Sequence, residues 1–137
     1  MIDAAIVGLG WWGRTLVESV QGSSDHIRFV AGATRTSSDD TSRFVHTHQM
    51  KLSESYQAVL SDPYVKAIVL ATPHSMHAPQ VMAAARAGKH VFCEKPLALT
   101  RADAERSVVA CKAAGVMLGI GHERRYEPAI VEVRRLL

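Results

Sequence analysis

Cysteine is scarce in this chain: Cys93 and Cys111 are the only two, and they form no C-x-x-C pair. That usage suits a reducing compartment, and both thiols are expected to be buried and unreactive. No apolar run approaches the roughly 20 residues that span a bilayer, and the first residues lack the charged start of a signal peptide. No membrane association is expected, and the chain is assigned to the cytoplasm. A charge excess is missing too: 16 Lys and Arg stand against 13 Asp and Glu, net +3, with the two signs interspersed. Nothing in that balance marks a nucleic-acid footprint. His74 and His77 are three residues apart, but no third His, Cys or carboxylate lies nearby to complete a zinc set, so no metal site is expected.

What the chain does have is concentrated between Ala4 and Gly13. An apolar run feeds into Gly8-Leu9-Gly10-Trp11-Trp12-Gly13, the order of a buried strand turning sharply into a helix. Each glycine has its own steric task. Gly8 permits the bend, Gly10 leaves no Cβ between the backbone and a diphosphate, and Gly13 lets the helix pack close to the strand. The helix start offers unpaired N–H donors and a positive dipole end to an anion.

The 137 residues allow one unit with a real core, since a chain of this size buries roughly two-thirds of its unfolded surface. Apolar runs at Ala4–Val7, Ile27–Ala33, Ala67–Ala71, His90–Cys93 and Val116–Ile120 read as buried parallel strands. Helical patterns lie between them. Leu16, Val17 and Val20 share a face that ends at Gly22, and Tyr56, Val59 and Leu60 repeat the spacing before Asp62-Pro63. A third helix is expected to open with Pro79 in its first turn, bury Val81, Met82 and Ala85, and close at Gly88. A fourth takes Thr100 as its N-cap with Asp103 in a capping-box position, and Gly115 ends it. Ser38 to His48 reads as a short helix followed by a short strand near Met50–Leu52. The expected fold class is therefore α/β, a doubly wound parallel sheet covered on both faces. In such sheets ligands lie beyond the carboxyl ends of the strands. The loops that follow the strands, with Thr34, His74, Glu94 and Glu123 among their residues, should face one crevice.

These loops carry a resemblance. GLGWWG, ATPHSMHAP, GKHVFCEKPLALT and GIGHERRYEPAI, in this order, resemble the nucleotide-binding domain of the glucose-fructose oxidoreductase and inositol dehydrogenase family over essentially the whole chain. The resemblance implies NAD(P)-dependent hydride transfer at a hydroxyl or keto group of a sugar, polyol or cyclitol. It also implies a second domain, an open antiparallel sheet that holds the substrate and supplies a catalytic histidine. On that basis residues 1–121 are expected to form the dinucleotide-binding domain, and residues 122–137 a connecting loop and an apolar helix leading to a substrate domain.

By the same resemblance Lys95 of E-K-P lies between nicotinamide and substrate, where its ammonium hydrogen-bonds the reacting hydroxyl. Glu94 is expected to fix that lysine by pairing, and Pro96 to stiffen the loop, with a cis bond before it plausible in the family. Coenzyme choice rests on the end of the second strand. An acid there would favour NAD, whereas this chain has Thr34, then Arg35, Thr36 and Ser37, donors that suit a 2′-phosphate. NADP is the first choice, with NAD as the alternative through Asp39 or Asp40.

Ala71, Thr72, Pro73 and His74 are placed beside ribose and nicotinamide, with His77 near the start of the next helix and also counted as coenzyme-binding. Family members often carry Asn where His74 stands. Of Trp11 and Trp12, one should pack inward and the other lie along the nucleotide or under a neighbouring domain. Glu123 and Arg124 are the candidates from the following loop, with Arg124 and Arg125 alternatively paired to Glu127 or Glu132. Ile130, Val133, Leu136 and Leu137 make an apolar stripe suited to a partner domain, a second copy or another chain. The alternative function is a catalytically silent NAD(P)-binding regulatory module. A methyltransferase is disfavoured because Ala5-Ile6-Val7 supplies no acid before the glycine turn.

Overall fold

Six parallel strands in the order β3-β2-β1-β4-β5-β6 form the centre of the molecule, as seen in a computed structural model that describes residues 1–137. The strands are β1 (Ile2–Val7), β2 (Ile27–Ala33), β3 (Lys51–Ser53), β4 (Ala67–Leu70), β5 (His90–Cys93) and β6 (Leu118–Ile120). The helices are α1 (Trp11–Val20), α2 (Asp39–Thr47), α3 (Tyr56–Ser61), α4 (His74–Arg86), α5 (Arg101–Ala113) and α6 (Pro128–Leu136), with a 3-10 turn at Glu123–Tyr126 before the last. This is a Rossmann fold, and the strand order reverses between β1 and β4.

Strand alternation divides the core. Successive residues point to opposite faces, so Ala5 and Val7 of β1 join a cluster with Val59, Val81 and Cys111 from α3, α4 and α5. Ala4 and Ile6 face the other way, toward Val17 of α1 and Val45 of α2. Four consecutive β1 residues are thus buried, which explains the unbroken apolar run. The α1 and α2 layer does not extend across the whole sheet. Phe92 on β5 is 39% exposed, a departure from the expectation of full cover on both faces.

Helix ends follow local chemistry. Ser38, Ser55 and Thr100 cap α2, α3 and α5, each side chain accepting from the backbone N–H three residues on. The Thr100 hydroxyl also donates to the Asp103 carboxylate at 2.7 Å, so the pair meets side chain to side chain. Gly22, Gly88 and Gly115 take positive φ where helices end.

Strand bounds shift by one or two residues for β1, β3, β4 and β6, and the largest difference from the sequence pattern is at α4. α4 begins at His74, directly after Pro73, rather than at Pro79. Pro79 sits inside the helix, where its missing N–H leaves the Ser75 carbonyl without an i+4 donor. Ala84 takes the buried place expected of Met82, which is half-buried. This earlier start carries His74 and His77 onto a helix that abuts the carboxyl end of β4.

Candidate functional site

The turn between β1 and α1 depends on two glycines. Gly8 has φ +99, and a Cβ there would collide with the carbonyl of Ala71 at the end of β4. Gly13 is buried against the carbonyl oxygen of Gly8. The consequence is an α1 that starts close against the ends of β1 and β4. Gly10 differs: the space where its side chain would be is open to 4 Å. It is the N-cap of α1, no side chain caps that end, and no acid lies in the first turn. The amides there face a concavity with nothing in the protein to satisfy them.

Two adjoining cavities follow, sharing Ala71 and Thr72 as their common wall. The larger, about 590 Å³, runs from Gly8 and Gly10 over the end of β2 to Thr34, Arg35 and Thr36. Arg35 is exposed and makes no ion pair. Ser37 lies outside the lining. Asp40 is engaged with Arg14 at 2.6 Å, and neither it nor Asp39 lines the cavity; its acid is Glu54, just after β3.

Sequence reasoning missed one side of this cavity. Tyr56, Met76 and Gln80 line it; Tyr56 has the spacing of a core residue, and a polar Gln80 within the apolar α4 run was the available signal. The Tyr56 hydroxyl donates to the Gln80 carbonyl at 2.6 Å, and the Thr72 hydroxyl donates to Gln80 Oε1 at 2.6 Å. Burial pushes the Tyr56 phenol above its usual range, and charge at Cys93 adds to the effect.

The smaller cavity, about 380 Å³, brings together Trp11, Trp12, His74, Glu94, Lys95 and Glu123. Lys95 is exposed with no ion-pair partner, on a loop whose Lys95–Pro96 bond is cis. Glu94 does not pair with its ammonium. The buried Glu94 carboxylate instead accepts from the backbone N–H of Lys95 at 3.3 Å and lies against Gly121, where any side chain would overlap it. Trp11 is 79% exposed, whereas Trp12 is half-buried beside it, ring centroids 5.6 Å apart. Trp12 Nε1 is buried without a hydrogen-bond acceptor. A buried donor left unpaired is costly, and Trp12 is among the residues that line the smaller cavity.

The remaining expectations fall elsewhere. His77 is fully buried behind the cavities, both ring nitrogens facing backbone carbonyls. Arg124 lies outside the lining. Glu132 pairs with Arg135 at 2.6 Å, not with Arg124 or Arg125. No three His, Cys, Asp or Glu residues cluster as metal ligands, and no helix is long and apolar enough to cross a membrane.

Comparisons with known proteins agree on the fold. A family described as oxidoreductases with an NAD-binding Rossmann fold matches residues 2–122. A 2,7-anhydro-N-acetylneuraminate hydratase of Escherichia coli is 31% identical over all of this chain, which spans 36% of that protein. A scyllo-inositol 2-dehydrogenase (NAD(+)) of Bacillus subtilis is 31% identical over 98% of this chain, which spans 39% of it. Among solved structures, a Synechocystis biliverdin reductase in complex with biliverdin and NADP+ superposes with a TM-score of 0.87. It is 28% identical, over 98% of this chain and 42% of its own.

Proposed function

Because this chain belongs to the oxidoreductase family with an NAD-binding Rossmann fold, we propose that it binds NADP(H) along the two cavities and serves hydride transfer. The acceptor or donor would be a hydroxyl or keto group of a sugar, polyol or cyclitol. The observation that carries this reading is the uncapped start of α1 at Gly10, open where a side chain would stand. Its amides would hold the diphosphate. Arg35, with Thr34 and Thr36, would hold a 2′-phosphate at the end of β2, where the NAD-favouring acid is missing. The unpaired Trp12 Nε1 and the Glu94 and Lys95 groups fit the polar nicotinamide end.

The coenzyme supplies or accepts the hydride; the chain's residues bind, orient and handle the proton. Lys95 is free of any carboxylate partner, so its ammonium can donate to the oxygen of the reacting hydroxyl and stabilise negative charge there. Residues 1–121 would form the coenzyme domain and 122–137 the connection toward a substrate domain.

Calorimetric titration of the full chain with NADPH and with NADH tests the binding. Saturation with NADPH the tighter is expected; no heat from either at millimolar levels would remove the proposal. Lys95→Ala should leave coenzyme affinity within about threefold and lower turnover by at least about a hundredfold. In a protein that carries the second domain, unchanged turnover would end the catalytic role of Lys95, and hydride transfer to any sugar or ketone would count against a silent regulatory module.

A further inference from the structure

His77 has an unusual set of partners. It is completely buried, its Nδ1 2.7 Å from the carbonyl oxygen of Pro96 and its Nε2 2.8 Å from that of Thr72. Both partners are acceptors only, and no backbone N–H or other side chain donates to either oxygen. A neutral imidazole carries one N–H. In that form one contact would oppose two lone pairs at under 3 Å, in a place water does not reach. Turning the ring over exchanges each nitrogen for a carbon and leaves both carbonyls facing C–H groups. Only a ring with both nitrogens protonated makes two donor-acceptor contacts, each strengthened by charge.

The two carbonyls belong to different loops. Thr72 follows β4 and walls both cavities, while Pro96 is bonded to Lys95 on the loop after β5. We propose that His77 is held doubly protonated and, by gripping Thr72 and Pro96 together, positions Lys95 over the smaller cavity. The clamp stands on its own geometry; its catalytic consequence rests on the role given to Lys95 above.

The neighbouring groups are consistent with a local, carbonyl-held cation. His74, one turn earlier on α4, presents its ring edge-on with centroids 5.5 Å apart. Glu94 and Lys95 lie on the gripped loop, and Tyr56 of α3 reaches α4 at Gln80. Glu94 is the nearby carboxylate in sequence, but it accepts from the Lys95 amide and makes no ion pair with His77. The start of α4 opposes a cation through its dipole, an effect that falls off within the first turn. Burial away from any carboxylate also disfavours the charge, and the two charge-assisted hydrogen bonds oppose both effects.

Nitrogen NMR of the full chain labelled with ¹⁵N in its seven histidines reads the ring directly. One histidine, identified by its loss in His77→Gln, should show two protonated ring nitrogens with slowly exchanging protons at about pH 7. A bare ring nitrogen on His77 would overturn the clamp. For the positioning role, His77→Phe should lower kcat about tenfold while coenzyme affinity stays within about twofold, and His77→Gln, which keeps N–H donors, should recover part of the loss. Wild-type turnover in His77→Phe would overturn that role. If the wild type binds no coenzyme, the earlier proposal fails while the NMR result still decides the clamp.

Discussion

Gly13 faces the carbonyl oxygen of Gly8 with no room for even one added carbon. Gly10, three residues earlier in the same turn, faces open space. The two glycines therefore separate folding from binding. Gly13→Ala must displace the backbone of the first turn and should cost ~1–3 kcal/mol or more, read as a lower urea midpoint. Gly10→Ala should shift stability by no more than ~1 kcal/mol, since only the N-cap preference changes. Its added methyl enters the place proposed for the diphosphate, so coenzyme affinity should fall at least about tenfold. Unaltered affinity in Gly10→Ala would move the diphosphate away from this turn.

Arg35 is the residue proposed to favour NADP(H) over NAD(H). Arg35 lines the larger cavity with no carboxylate partner, and Glu54, on the adjoining loop after β3, is the acid in that lining. A charge-assisted contact to a 2′-phosphate contributes ~1.5–3 kcal/mol, or about 10–100-fold in affinity. Arg35→Ala should weaken NADPH by that factor and leave NADH nearly unchanged, measured by parallel titrations. Equal losses for both would mean that Arg35 stacks on the adenine or only shapes the loop. The contrast should shrink in high salt, because Arg35 is exposed and its charge is screened.

The fold was legible because periodicity and glycine placement are local signals. β2 and β5 have the bounds their apolar runs suggest, and Thr100 caps α5 as its spacing implies. Pro79 misled because proline is commonest in a first helical turn, and the tertiary contacts of His77 favour an α4 that starts at His74. The loops that form the cavity walls were legible as strand ends, which is why Arg35, Thr72 and Lys95 fall where a parallel sheet puts them. Tyr56 and Gln80 were not, because a half-buried helix face lining a cavity has the same spacing as one that packs on the core. Nor does sequence show that Glu94 bonds the Lys95 amide rather than its ammonium, since both lie within reach of one carboxylate.

Alkaline pH should destabilise the fold through Cys93. Its thiol is buried and pushed up from 9.0 to about 12, by burial first and then by the charge of Glu94. Above pH 9 the unfolded thiol loses its proton while the folded one keeps it, so the unfolded state binds fewer protons and stability falls as pH rises. The fall continues until the folded thiol ionises near 12, with a limiting slope of ~1.4 kcal/mol per pH unit for one group. Cys111 and Tyr56, both shifted upward by burial, add to it. Urea midpoints between about pH 8 and 10 should decline in the wild type and less steeply in Cys93→Ala. Native Cys93 should resist alkylation at neutral pH, and rapid labelling without unfolding would contradict its burial.

Trp12 offers a test in which stability and binding move in opposite directions. Its indole N–H is buried without a partner, and Trp12 shares the lining of the smaller cavity with Lys95, His74 and Glu123. Trp12→Phe keeps an aromatic ring there and removes the unsatisfied donor, which relieves part of a ~1–3 kcal/mol desolvation penalty while leaving a smaller ring to pack. With no ligand present, the variant should unfold at an equal or higher urea concentration than the wild type. With ligand bound, the lost hydrogen bond should weaken affinity by ~0.5–1.5 kcal/mol, about twofold to tenfold. A variant that loses stability but keeps its affinity would make Trp12 a packing residue. One that keeps both would mean the donor is satisfied by water with or without ligand, and the orphaned N–H would cease to argue for a polar group at that end of the cavity.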